Sequence, residues 1–341
     1  MLRRALLLGV VASASSCSDW IMDDAYGLSV RTMDLGTGPT FSLRTQPRGH
    51  NTNFQNVPAA KYGHIISVGA NVTGQDALSP EMAFAGLNEK GLSCDLHALL
   101  NSSYPALNSS SSKNVMLYYF CNWALGGYES VAAVKAALSS GAVHLWGPAS
   151  MGAGGVHFIV RDATGRGLAV EFMEQTTRLY DDLNDGEHSF GVFTNEPEFP
   201  WQLANVRHYR WKQSLARPAT AMPGAWYPDE RFLRIYLTKS AMPKPTSYQQ
   251  AVQHALHVLN TITVPMGQQM GTDSGFGEGE ADHTHYGHVY DHKNRILYWR
   301  HQSNLQLERV RLADVLGSSA PLSLPMFNDL PFFNDAAHKF A

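Results

Sequence analysis

The order of the periodic segments constrains this chain most. Strand-like runs come first, helical runs follow, and strand-like runs return at the end. Apolar residues alternate over 25–34 and 40–46 around the turn-like Gly36-Thr37-Gly38-Pro39, which predicts a hairpin with Cys17 ahead of it. Residues 64–70 form another strand, and 82–92 fold back at Asn88-Glu89-Lys90-Gly91. Residues 156–161 and 167–172 do the same around Asp162-Ala163-Thr164-Gly165. Helices are predicted over 131–138, capped by Ser130, over 201–211 and 229–239, each led by a proline, and over 248–259 after Ser247. A last hairpin joins 286–290 to 295–301, while the polar stretches 47–60 and 101–112 read as loops. This order belongs to an α+β layered fold, because a doubly wound sheet needs strict βαβ alternation.

Residues 1–16 have the grammar of an export leader: Arg3-Arg4, a short apolar run over 5–12, and the small exit Ala14-Ser15-Ser16. The run is too short to span a bilayer, and no later stretch is apolar enough, so no stable membrane insertion is expected. Cleavage after Ser16 would leave Cys17 as the first residue of a single domain, 17–341, in a periplasmic or secreted protein. A net charge of −3 shows no basic excess and argues against nucleic acid as a partner. There are three cysteines, so one stays unpaired; Cys94 and Cys121 either pair or remain two buried thiols.

A cysteine at a new N-terminus carries a thiol and a free α-amine on one residue, a nucleophile with its own base. The amine's solution pKa of about 7.7–8 lies close to working pH, and a thiol needs little help to become strongly nucleophilic. Such a residue needs a cation, an acceptor for its amine, and donors aimed at a developing oxyanion. Arg31 and Asp34, in VRTMD, follow shortly after it. Strand alternation puts these two on opposite faces, so serving one site calls for a bend or bulge between them. Asn195 has an amide able to donate to an oxyanion, although Asn also suits turns. Arg231 sits just inside the helix that begins after Pro228, where an arginine is ordinarily solvated.

Several segments together resemble the choloylglycine hydrolase family, the bile salt hydrolases and penicillin V acylases among the N-terminal nucleophile hydrolases. They are Cys17 with RTMD at 31–34, AGLNEKGL at 85–92, VHFIVRDATGRGLAVEF at 156–172, FTNEPEFPWQLANVR at 193–207, ERFLR at 230–234 and HTHYGHVYDHKNRILYW at 283–299. The resemblance implies a four-layer αββα sandwich of two antiparallel sheets between helix layers. It also implies hydrolysis of a linear, non-peptide amide of a small molecule, without a cofactor, and homo-oligomers, tetramers in the family. Cys17 would be the nucleophile, Arg31 and Asp34 the residues that tune and orient it, Asn195 an oxyanion side chain, and Arg231 the site arginine. One motif departs: where the family carries Asn or Tyr in the oxyanion hole, this chain reads Asp95-Leu96-His97-Ala98. Ala98 matches by count, His97 after a slip of one, and a backbone N–H donor survives the change.

Other features support less. His283, His285, His288 and His292 cluster with Asp282 and Asp291, but alternation on a hairpin explains the spacing, so no metal is expected. Gly275, Gly277 and Gly279 lack the strand-to-helix setting of a phosphate loop. The leader favours a penicillin V acylase-like enzyme, some relatives of which cleave N-acyl homoserine lactones, over a bile salt hydrolase. A reading from another class is a lipid-anchored binding protein with a modified Cys17, which would consume the thiol. Ala14 fits a lipid-attachment box poorly, and the downstream matches would then have no role.

Overall fold

The computed structural model describes residues 17–22, 25–36, 39–70, 80–148, 155–181, 191–215, 222–270, 281–327, 330–333 and 336. The leader, Thr37-Gly38, and the loop with Gly275, Gly277 and Gly279 lie outside the described residues.

In chain order the strands are β1 (Ser18–Ile21), β2 (Leu28–Leu35), β3 (Thr40–Gln46), β4 (His64–Ala70), β5 (Ala85–Asn88) and β6 (Ser93–Ala98). They continue as β7 (Asn114–Met116), β8 (His144–Trp146), β9 (Val156–Arg161), β10 (Gly167–Met173), β11 (Thr176–Asp181) and β12 (Val192–Phe193). The last are β13 (Gln269–Met270), β14 (Ala281–Asp291), β15 (Ile296–His301), β16 (Asn304–Arg311) and β17 (Ser323–Pro325). The helices are α1 (Phe120–Gly127), α2 (Val131–Ser139), α3 (Phe199–Leu215), α4 (Pro228–Ala241), α5 (Tyr248–Ile262) and the short α6 (Leu312–Val315).

One antiparallel sheet runs β12-β1-β2-β14-β15-β16, with β13 also on β14; the other runs β11-β10-β9-β6-β5-β4-β3-β17. Helices α4 and α5 cover the first sheet, and α1 and α2 cover the second. The result is the expected four-layer αββα sandwich. A small parallel pair, β7 with β8, stands apart.

The expected hairpin between 25–34 and 40–46 does not form. Both segments are strands, but β2 is already flanked by β1 and β14, so it has no open edge for β3. The chain instead crosses to the other sheet, where β3 pairs with β4 and β17. Cys17 opens a different hairpin, β1 with β2. The helices start where their signals place them and run longer: Ser130 accepts from Ala133 N at the head of α2, and Ser247 from Gln250 N at the head of α5. The tight turn at 88–91 demands glycine. Gly91 has φ +86°, and a Cβ there would meet the His292 carbonyl oxygen at 2.2 Å.

Between the sheets the core is partly polar. Arg31 on β2 faces Asp95 on β6, with Nε 3.4 Å from Oδ1, and Asp19 on β1 pairs with Arg161 on β9, all four side chains wholly buried. Tyr286 OH bonds Ser67 Oγ at 2.8 Å, and Tyr290 OH donates to Asp95 at 2.7 Å. Buried charges of this kind hold a fixed geometry better than they add stability. Cys94 on β6 and Cys121 on α1 form a disulfide, which leaves Cys17 as the free cysteine.

Candidate active site at Cys17

Cys17 immediately precedes β1 and is 1% exposed. The register Ser18↔Thr32, Asp19↔Arg31 places Cys17 across from Met33, and the sulfurs of the two lie 4.0 Å apart. On the other side, Asp19↔Phe193 continues to set Asn195 across from Cys17. Cys17, just ahead of β1, therefore sits between β2 and the segment that follows β12.

Arg231 gathers this end of the sheet. Its Nη1 donates to the Cys17 carbonyl at 2.9 Å and to Ser18 Oγ, and its Nη2 donates to Asn195 Oδ1 at 2.9 Å. Its Nε donates to the Trp226 carbonyl at 2.9 Å, so every edge of the guanidinium is used. Far from being a solvated helix arginine, Arg231 is wholly buried on the face of α4 that packs on β1 and β12.

Asn195 is held from both sides. Arg231 fixes its oxygen, and its Nδ2 donates to the Ala98 carbonyl at 2.9 Å. An amide nitrogen carries two hydrogens, so one remains for a ligand. Along β6, Leu96 N–H bonds Phe84 O on the β5 side and Leu99 N–H bonds Gly155 O on the β9 side. Strand alternation then turns the Ala98 N–H toward the β5 side, beyond the first residue of β5.

Arg31 and Asp34 approach Cys17 from opposite faces of β2. Arg31 points between the sheets: Nη1 donates to Tyr286 OH at 2.9 Å, Nη2 to the Leu96 carbonyl at 2.8 Å, and Nη2 lies 4.0 Å from Met33 Sδ. Asp34 lies on the other face, where Thr32 Oγ1 donates to its Oδ2 at 3.2 Å while accepting from Ser18 N at 3.0 Å. No bend in β2 is needed, and its pairing with β1 is regular. The irregularity lies in β14, between Thr284 and Tyr286, opposite Asp34 and Met33. A residue at the start of a strand can be reached from both faces at once, and alternation along β2 alone does not reveal this.

The electrostatics follow from burial. Burial pushes the Cys17 thiol up from its ordinary value, against the pull of Arg31 and, more weakly, of Arg231. Burial raises Asp34 to about 6, against Arg231 and the hydroxyls of Thr284 and Thr32. Asp34 therefore loses its charge as the pH falls through that value, and a free α-ammonium on Cys17 would lower the value. The acid limb of kcat/KM is expected at or below about pH 6. Asp34→Asn should remove that limb along with most of the activity. An unchanged limb in that variant would take Asp34 out of the site.

Three of the histidines on and just after β14 are held by buried neighbours. His285 Nε2 contacts the Gly36 carbonyl at 3.0 Å, His292 bonds Gly91 O and Ser29 Oγ, and His288 Nδ1 contacts Tyr290 OH at 3.2 Å. Burial lowers all three, His285 and His292 to about 4. Among the described residues no group of three or more His, Cys, Asp or Glu could hold a metal ion. No helix among them is long and apolar enough to cross a membrane.

Sequence reasoning missed Ser18, Thr32, Asp95 and Tyr286. The signal for Asp95 was present: in SCDLHA, polar Ser93, Asp95 and His97 alternate with apolar residues, the mark of a polar face turned toward a partner sheet.

Two antiparallel sheets face to face between helix layers define the architecture of the N-terminal nucleophile hydrolases. Solved structures with the same fold include the penicillin V acylase from Agrobacterium tumefaciens (TM-score 0.73, 20% identity, 91% of each chain covered). A variant of the conjugated bile acid hydrolase from Clostridium perfringens also superposes (TM-score 0.73, 19% identity, 94% of this chain and 99% of that one). The chain belongs to the family described as linear amide C-N hydrolases, choloylglycine hydrolase family, whose profile matches residues 17–318. Characterised relatives are the bile salt hydrolase/transferase of Clostridium perfringens, 25% identical over 244 residues (66% of this chain, 71% of that protein), and that of Lactiplantibacillus plantarum, 23% identical over 308 residues (84% and 90%). The protein is thus a hydrolase of linear, non-peptide amides.

Proposed function

We propose that this chain is an exported amidase whose nucleophile is Cys17, freed by removal of residues 1–16, with a penicillin V acylase-like preference that extends to N-acyl homoserine lactones. The observation that carries this reading is the clamp of Arg231 on Cys17, Ser18 and Asn195. It makes little sense unless the position of Cys17 matters to chemistry. The family match opening at residue 17 supports the same boundary.

In this reading the α-amine of Cys17 takes the thiol proton and the thiolate attacks the amide carbonyl. The second Nδ2–H of Asn195 and the Ala98 N–H receive the oxyanion, where one donor is worth about 3 kcal/mol of barrier. The resulting ammonium protonates the leaving nitrogen, and water hydrolyses the thioester to return the thiol. Arg31 supplies positive charge near the thiolate, and Asp34, through Thr32, sits on the amine side of Ser18 N. In the uncleaved chain the Cys17 nitrogen is a peptide nitrogen and cannot serve as the base.

A second reading, hydrolysis of conjugated bile acids, is favoured by the names of the characterised relatives. The lipid-anchored alternative sits badly with a cysteine 1% exposed, its sulfur against Met33 between the sheets. Intact mass of exported protein checks the boundary, and hydrolysis of penicillin V, glycocholate and a long-chain acyl homoserine lactone checks the substrate. Turnover of glycocholate alone would exchange the first reading for the second. A diacylated Cys17 would end both.

A further inference from the structure

Helix α3 differs from the rest of the chain in its charge. Its 17 residues include Arg207, Arg210 and Lys212 and no acid, in a protein whose acidic residues outnumber its Lys and Arg by 29 to 26. The nearest acids in sequence, Glu196 and Glu198, lie ahead of the helix, and the Glu196 carboxylate is taken by Leu100 N at 2.6 Å.

One side of α3 builds the fold: Gln202, Val206 and Tyr209 are buried, and the helix packs on α4. The opposite side carries a ridge. Spacings of three, four and three residues line up Trp201, Ala204, His208 and Trp211. Trp201 is 63% and Trp211 57% exposed, and the Trp211 ring stacks on His208 with centroids 5.8 Å apart. At 3.6 residues per turn, Arg207 and Arg210 fall along one margin of this ridge and Lys212 along the other, all three exposed.

An aromatic ridge between two basic margins matches a layer of negative charge above an apolar interior. Indole rings settle at the headgroup level of a bilayer, where the ring is half in hydrocarbon and its N–H stays wet. Lysine and arginine beside them are drawn to anionic headgroups. A second copy of this chain fits the ridge less well. A two-fold contact sets the same surface against itself, so cations would meet cations with no acid on the helix to answer them. With one side built into the core, α3 lies along a lipid surface and not through it.

We propose that α3 docks this protein on an anionic lipid surface, with Trp201 and Trp211 entering the headgroup layer and Arg207, Arg210 and Lys212 lying against its phosphates. The helix is mounted on the segment that carries Asn195. On its buried side Gln202 Nε2 donates to Thr194 Oγ1 at 3.1 Å and to the Glu196 carbonyl at 2.8 Å. Docking through α3 therefore holds the Asn195 segment at a set distance from the lipid. The inference is independent of which amide the protein cleaves.

The test is co-sedimentation with vesicles of phosphatidylcholine alone and of phosphatidylcholine and phosphatidylglycerol in equal parts. Wild type and variants share one N-terminus verified by intact mass, so the apolar run at 5–12 cannot account for a difference between them. Wild type should bind the anionic vesicles about 100-fold more tightly than the neutral ones, less so as salt rises, and brominated lipid should quench its tryptophan fluorescence. Exchanging Arg207, Arg210 and Lys212 for Gln should weaken binding about fivefold for each charge removed. Trp201→Ala and Trp211→Ala should each cost about tenfold, and the double variant should lose the added quenching. All five side chains are exposed, so Tm should stay near wild type in both sets. Equal binding to the two vesicles overturns the inference, as does wild-type binding by either set of variants. Absence of binding overturns it too: a concentration-dependent dimer broken by Trp201→Ala would then assign the ridge to a second copy, and retention on polyglutamate would assign it to an acidic protein.

Discussion

Replacing Cys17 by alanine is expected to remove amide hydrolysis, a loss of about 10⁴-fold or more in kcat/KM. The thiol is buried against Met33, and losing one sulfur there leaves the hydrogen bonds of the Cys17 carbonyl to Arg231 and of Ser18 N to Thr32 in place. Thermal unfolding of the mature variant should therefore stay close to wild type. Cys17→Ser preserves shape but needs a far stronger base to ionise, so it too should be badly impaired. Burst kinetics with a chromogenic amide would show an acyl-enzyme in wild type and none in the alanine variant. A serine variant with full activity would remove Cys17 from the nucleophile's role.

Asn195→Ala should cost about 10²–10³-fold in kcat, and it should also lower Tm. The reason is geometric: the side chain links the Arg231 guanidinium to the Ala98 carbonyl, and its loss leaves both buried groups short of a partner. Asn195→Asp separates the two effects. The carboxylate can still accept from Arg231 but cannot donate to the Ala98 carbonyl, so only part of the stability should return, while a negative charge beside the forming oxyanion keeps kcat low. Steady-state kinetics and calorimetry on both variants check this. Recovery of kcat in the aspartate variant would show that Asn195 holds the structure together and does not stabilise the oxyanion.

How much of this was visible in the sequence depended on whether an interaction was local. The strand at 64–70, the hairpins turning at 88–91 and 162–165, and the helices after Ser130, Pro228 and Ser247 are set by alternation, turn residues and caps within a few positions, and they stand where expected. The link from β2 to β3 failed because nothing near Gly36 reveals that both edges of β2 are taken by strands far along the chain. Opposite faces for Arg31 and Asp34 were read correctly from alternation. What could not be read was that Cys17 would lie where both faces converge. The burial of Arg231 depends on the packing of α4 against β1, and helix position alone cannot supply it. The resemblance to a known family placed Arg231, Asn195 and Ala98 in one site; their spacing did not. His97 stayed ambiguous because a register slip of one residue exchanges a backbone donor for an inward-facing imidazole.

Helix α4 holds β1 by its carbonyls at both ends. Eight residues apart along the helix, Arg231 donates to the Cys17 carbonyl and Lys239 Nζ donates to the Ile21 carbonyl at 2.8 Å. Both anchors, like the Ser18 N bond to Thr32, lie on the C-terminal side of the Cys17 nitrogen. Cutting the peptide bond before Cys17 would release none of them. On the proposed reading, maturation is then an unmasking and not a refolding: the scissors change what one nitrogen can do and leave where it stands untouched. A precursor and its product should superpose over the described site residues while differing completely in reactivity, and hydrolysis of the peptide bond would make the switch between them irreversible.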